Sequence, residues 1–320
     1  MSRTLSSTAK RTYWLGRYLE RAENTARLVS VNANLLIDLP VRLPLGWQPL
    51  VDITGAHELF ADIYAEPSET HVVHFLLSDL RNSGSLFNSL TSAKDNARTL
   101  RGILSREVFE YVNELQLYAK QTLSEPLSRT RRIKGLSRVM EMIRQIDGFL
   151  SGNMLHDANW NFLRIGNFIE RADMLTRIVD VRSSDLFADQ AGLEPFQDIQ
   201  WRSVLRSLSA MQSYNTTHQE PMSDASVLAF LFKHQDLPRS YVRCLTQVRN
   251  SLRSLPRNEK PLRAVNRMRR NIAAEDVRGL HGSTLREFID RCQTELAQLH
   301  DAIDKTYFDF KPRRPRRETS

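Results

Sequence analysis

The run Tyr13-Trp14-Leu15-Gly16-Arg17-Tyr18-Leu19-Glu20-Arg21-Ala22-Glu23-Asn24-Thr25-Ala26-Arg27 decides the fold, because part of it returns 150 residues later. Leu15 to Glu23 pairs residue by residue with Ile165-Gly166-Asn167-Phe168-Ile169-Glu170-Arg171-Ala172-Asp173. The match extends through Arg27 and Arg177, then Val29 and Val179. On a helix advancing about 100° per residue, Gly16, Glu20, Glu23 and Arg27 fall in a stripe of about 60°. Leu15, Leu19, Ala22 and Ala26 lie beside it and form a packing face. The charges therefore stand at the border of a core. Gly16, Ala22 and Ala26, like Gly166 and Ala172, leave room for another helix to approach.

Further blocks recur in the same order. Trp47, Leu50, Val51, Ala56 and Phe60 align with Trp201, Val204, Leu205, Ala210 and Tyr214 at an offset of 154. Val72, Val73, Phe75 and Leu76 align with Val227, Leu228, Phe230 and Leu231 at 155. Ala97-Arg98-Thr99 resembles Pro238-Arg239-Ser240 at 141. Ordered blocks of this kind imply a duplicated unit, 1–151 and 152–308, with the halves related by a pseudo-two-fold axis and sharing one core.

Helical periodicity runs through the chain and no alternating run interrupts it. The expected fold is all-α, a multi-helix bundle with about six helices per half. The first helix should run from Ser7 or Thr8 to just before Pro40. Others are expected near 50–64, 69–80, 85–93, 95–122, 128–151, 157–184, 198–214, 224–234, 239–254, 261–271 and 283–307. Proline and glycine separate them, as at Pro67, Gly84, Pro126, Gly152, Pro221, Pro256 and Gly282. Asp157 stands where an N-cap belongs.

At 320 residues with 41% hydrophobic and 26% charged content, a large core can form. No stretch of 18 apolar residues exists to span a membrane. Residues 1–10 lack the apolar segment of a secretory signal. Two cysteines cannot build a disulfide framework, so a reducing cytoplasm is expected.

The net charge of +8 is concentrated. Residues 239–271 hold nine arginines and Lys260 against Glu259, a local +9, and the proline-bearing tail 311–320 carries +4. The remainder is therefore mildly acidic. The tail reads as a disordered basic arm. On the helix expected after Pro238, the residues Arg239, Arg243, Arg249 and Arg253 share an arc of about 120°. With Arg98 and Arg101 they are the candidate anion-binding residues; a solvated basic face is the plainer alternative. Tyr241 is the lone aromatic within the tract, which makes a nucleic-acid role a weak expectation.

Glu23 and Arg27 form an i,i+4 pair, copied by Asp173 and Arg177. Such a pair stabilises an exposed helix by only ~0.3–0.5 kcal/mol. At a core border, removing one partner costs ~3–5 kcal/mol, because the other charge is stranded. Two readings follow for Glu20, Arg21, Glu23, Arg27, Glu170, Arg171, Asp173 and Arg177. They are a structural ion-pair network, or they converge on a site between the halves. A metal is the weaker version of the second reading, since helical di-metal sites use Glu-x-x-His and this motif has no histidine, which leaves oxygen-only ligation of Mg²⁺. His71 and His74 share a helix face among apolar neighbours and read as satisfied histidines rather than a metal site. Cys244 reads as buried rather than nucleophilic. No phosphate-binding loop, dinucleotide fingerprint or nucleophile elbow is present.

The first run, the second copy beginning at Phe162, Asp95-Asn96-Ala97-Arg98-Thr99-Leu100-Arg101 and Leu237-Pro238-Arg239-Ser240 together resemble the alpha-E family, over nearly the whole chain. Asn167 departs from the pattern, where an arginine is frequent. The resemblance implies association, through neighbouring or fused genes, with circularly permuted ATP-grasp amidoligases and transglutaminase-like proteases. It therefore implies a non-catalytic partner of an ATP-grasp ligase that docks the enzyme or its peptide substrate. ATP and Mg²⁺ would reside on the ligase, with no cofactor on this chain. The alternatives are an enzyme using a Glu/Arg site between the two repeated helices, and an anion binder using the basic tract.

Overall fold

The computed structural model describes residues 3–38, 46–124, 127–184 and 197–309. Among them no strand forms, and fourteen α-helices follow one another. The first seven are α1 (Arg3–Asp38), α2 (Gln48–Thr54), α3 (His57–Ile63), α4 (Glu69–Leu77), α5 (Leu86–Thr99), α6 (Arg106–Leu123) and α7 (Arg129–Asn153). The second seven are α8 (Ala158–Ser184), α9 (Gln197–Ser207), α10 (Met211–Thr217), α11 (Asp224–Lys233), α12 (Tyr241–Arg253), α13 (Glu259–Ala274) and α14 (Gly282–Ile303). A single π-helical turn, Asp304–Phe308, extends α14. Pro40, the breaker Pro126 and the basic tail 311–320 lie outside the described residues.

The all-α expectation holds, with seven helices in each run rather than six. Two expected helices prove to be pairs. Gly55 in the left-handed region (φ 67°) ends α2 before α3. Ser209 (φ 52°) takes the same conformation between α9 and α10, without the glycine that would announce it. The break expected at residue 94 falls at 100–105 instead. Gly102 and Ser105, the N-cap residue of α6, mark it. Asp157 caps α8 as expected, accepting from the backbone N–H groups of Asn159 (2.8 Å) and Trp160 (3.2 Å).

Two hydrophobic clusters form. One gathers α2 to α7 with Leu15, Leu19, Ala22 and Ala26 of α1 and Leu163 of α8. The other gathers α8 to α14 with Ala9, Tyr13 and Leu28 of α1 and Ile53 of α2. α1 and α8 therefore contribute to both clusters, and they are buried on most sides along their middle turns. α1 packs on α5 and α7, and α8 packs on α12 and α14. α6 lies between α5 and α7, as α13 does between α12 and α14. No described helix is long and apolar enough to cross a membrane.

Candidate functional site

α1 and α8 cross at their glycines. A Cβ placed on Gly16 would collide with the Leu163 carbonyl oxygen, and one on Gly166 with the Tyr13 carbonyl oxygen. Both obstacles are backbone, which cannot rotate away. This close crossing brings the two Glu-Arg dipeptides within reach of each other.

Each arginine then bonds the glutamate of the opposite helix. Arg21 donates from Nε (2.6 Å) and Nη2 (3.0 Å) to Glu170. Arg171 donates from Nη2 (2.6 Å) and Nε (3.1 Å) to Glu20. These are two-point, fork-to-fork ion pairs, the geometry guanidinium favours with carboxylate. Each glutamate takes a second arginine. Glu170 takes Arg17 of α1. Glu20 takes Arg239, at 2.7 Å, from the residue just before the N-cap of α12. Arg239 also reaches Glu23 at 3.1 Å and the Asn24 side-chain oxygen at 3.3 Å. The intrahelical pairs Glu23–Arg27 and Asp173–Arg177 both form.

Glu20 and Glu170 are almost fully buried, at 3% and 2% exposed. Burial alone would raise their pKa, but the arginines outweigh it. Arg171 and Arg239 hold Glu20 at about 2, and Arg17 and Arg21 hold Glu170 at about 2. Neither carboxylate can take up a proton near neutral pH. Among the described residues no three His, Cys, Asp or Glu side chains gather as metal ligands.

A cavity opens on each side of the crossing. On the Glu20 side its volume is about 410 Å³, lined by Glu20, Glu23, Arg27, Arg144, Arg171 and Arg239 among others. On the Glu170 side it is about 770 Å³, reached by Arg17, Arg21, Glu170, Asp173 and Arg177. All eight residues of the expected network thus sit at the crossing. Arg17, Arg144 and Asp147 belong there too, unforeseen. Arg17 carried a signal, one turn before Arg21 on the same face; Arg144 and Asp147, on α7, carried none.

The anion-binding candidates do not act together. Ser240 caps α12 by accepting from the Arg243 N–H, so the helix begins after Arg239. Arg239 turns inward to α1 and leaves the stripe. Arg243 and Arg249 are half-buried on α12 and Arg253 is exposed. Arg98 is exposed and pairs with Asp95 at 3.1 Å, and the Arg101 guanidinium lies 4.2 Å from the Phe109 ring centre. Ser85 caps α5 by accepting from the Asn88 N–H, as Ser240 caps α12, and Arg98 lies in the last turn of α5 while Arg239 precedes the first turn of α12.

Other candidates have partners. The His74 ring nitrogen Nδ1 meets the Tyr64 hydroxyl at 2.7 Å, and His71 Nδ1 meets the Glu66 carbonyl at 2.9 Å. Cys244 is fully buried, and burial pushes its thiol up to about 12, leaving no thiolate for nucleophilic attack.

A family profile, Alpha-E, described as a predicted alpha-helical domain with a conserved ER motif, matches residues 4–308. An uncharacterised protein of Mycobacterium bovis is 26% identical over 325 positions, covering 93% of this chain and 35% of the relative. Uncharacterised proteins of Mycobacterium tuberculosis match at 26% and 25% over the same shares. The chain thus spans about a third of the length of the curated relatives it matches. No solved structure matches.

Proposed function

This chain belongs to the Alpha-E family, and on that premise we propose that it is a non-catalytic helical partner of an ATP-grasp amidoligase, holding the ligase or its peptide substrate. The observation that carries the reading is the double clamp on each buried glutamate. Carboxylates held at about 2 by paired arginines fasten helices together and make poor general bases. This weighs against an enzyme built on the Glu-Arg motif. The inward turn of Arg239 weighs against a basic-tract binder. The relatives add a second support, because two thirds of their length lies beyond the matched region, room for a fused enzyme. In the same reading ATP and Mg²⁺ stay on the ligase, and a transglutaminase-like protease belongs to the same peptide system.

The scaffold of this partner is, in this proposal, a seven-helix unit used twice, α1–α7 and α8–α14, about a pseudo-two-fold axis at the α1–α8 crossing, with the expected boundary at 151 moved past the end of α7 at Asn153. Supporting it are the parallel order of helix packing, the matched caps Ser68 and Ser223, the left-handed Gly55 and Ser209, and the exchanged arginines. The test is affinity purification of the tagged chain from its own cells. An ATP-grasp enzyme should be recovered in stoichiometric amount; its consistent absence from the recovered proteins overturns the reading.

A further inference from the structure

The two cavities differ in charge balance. On the Glu170 side Arg17, Arg21 and Arg177 meet Glu58, Glu170 and Asp173, three against three. On the Glu20 side four arginines, Arg27, Arg144, Arg171 and Arg239, meet three carboxylates, Glu20, Glu23 and Asp147. Those carboxylates are unevenly engaged. Glu20 is saturated by Arg171 and Arg239. Glu23 alone must serve Arg27, Arg144 and part of Arg239. Asp147 also acts on Arg164, a further cation nearby.

The consequence is visible at two arginines. Arg27 is buried, and its Nε has no hydrogen-bond partner. Burial, opposed by Glu23 but reinforced by Arg239 and Arg144, lowers its pKa to about 10, the reverse of what the clamped Arg17 and Arg171 show. Arg144 reaches Glu23 only at 3.5 Å and is 56% exposed. Its guanidinium is the least committed of the four. The remaining walls include Leu19, Ile143, Leu150 and Leu163, all buried aliphatic residues.

We propose that the cavity on the Glu20 side binds a carboxylate borne on an aliphatic residue, the free end of a peptide or a single amino acid, which supplies the countercharge that Arg144 and Arg27 lack, while the leucine-rich wall takes the side chain. A planar carboxylate matches the guanidinium fork, and the apolar wall selects against a bare inorganic ion. The volume of about 410 Å³ suits a group the size of one or two residues. The site stands whether or not a ligase docks on the chain.

Titration calorimetry on the full chain at low salt tests it with four probes: acetyl-Ala-Ala-Leu, its C-terminal amide, L-leucine and inorganic phosphate. The acid should bind and the amide should not, which identifies a peptide end. Binding of L-leucine with the same dependence on Arg144 identifies the free amino acid as the source. Arg144→Gln should weaken binding about tenfold, the scale of one charge-assisted contact. That variant keeps its melting temperature because the side chain is half exposed and loosely paired. Arg138→Gln, exposed on the same helix and paired with Glu141 at 3.3 Å, should leave binding unchanged. Equal binding of acid and amide, phosphate binding as tightly as the acid, no binding of either carboxylate, or indifference to Arg144→Gln overturns the proposal.

Discussion

Gly16 and Gly166 are the residues on which the molecule tolerates least. Each faces a carbonyl oxygen of the other helix, so even one methyl group forces the helices apart. Gly16→Ala and Gly166→Ala should each cost ~3 kcal/mol or more, the upper range for overpacking, read as a fall in the urea midpoint. The glutamates make a second prediction. Their folded pKa lies at about 2, below the ordinary 4.5. A depressed carboxylate contributes stability that is complete above the unfolded pKa and is lost as pH falls through the folded one. Urea midpoints should therefore drop between about pH 4.5 and pH 2. Glu170→Gln should lower stability at pH 7 by ~3–5 kcal/mol, by stranding Arg17 and Arg21, and should flatten that acid drop. A variant as acid-sensitive as the parent would show that the clamp is not its source. The sequence exposed the intrahelical pairs Glu23–Arg27 and Asp173–Arg177, since spacing alone defines them. It did not expose which glutamate Arg21 or Arg171 would choose, because that depends on the crossing of two helices 150 residues apart.

At the scale of elements, Ser85 and Ser240 are fully buried caps that start α5 and α12. Replacing either by alanine should cost ~1 kcal/mol, measured by thermal unfolding. Ser240→Ala should cost more, since Ser240 Oγ also donates to the His234 carbonyl at 2.6 Å. Helices were legible here wherever apolar periodicity ran between prolines and glycines, as in α4, α7, α8 and α11. Two kinds of boundary were not. The α9–α10 break rests on Ser209 in a left-handed conformation that sequence does not advertise. The α5–α6 break does carry Gly102 and Ser105, which a cap-centred reading would have found. The stretch that resembled Pro238-Arg239-Ser240 in the sequence, Ala97-Arg98-Thr99, lies in the last turn of α5, whereas Arg239 stands before the start of α12.

At the scale of the whole molecule, α1 and α8 supply both hydrophobic clusters, so neither cluster is complete without a helix from the other run. Trp47 sits in one cluster and Trp201 in the other. In the unaltered chain, tryptophan fluorescence and helical circular dichroism should give the same urea midpoint. Separate midpoints would show that the clusters melt independently. The fold class was legible from periodicity and the repeated motif. The cavities were not, because their lining from α7 and from the approach to α12 has no counterpart in the motif itself.

The crossed attachment of Arg21 to Glu170 and Arg171 to Glu20 makes no use of the peptide link between the two runs of helices. A gene cut between Asn153 and Ala158 should therefore still yield a working molecule, its two polypeptides recognising each other through the same handshake. Covalent continuity would then matter for keeping the two runs at equal stoichiometry, while the crossed ion pairs hold them in register.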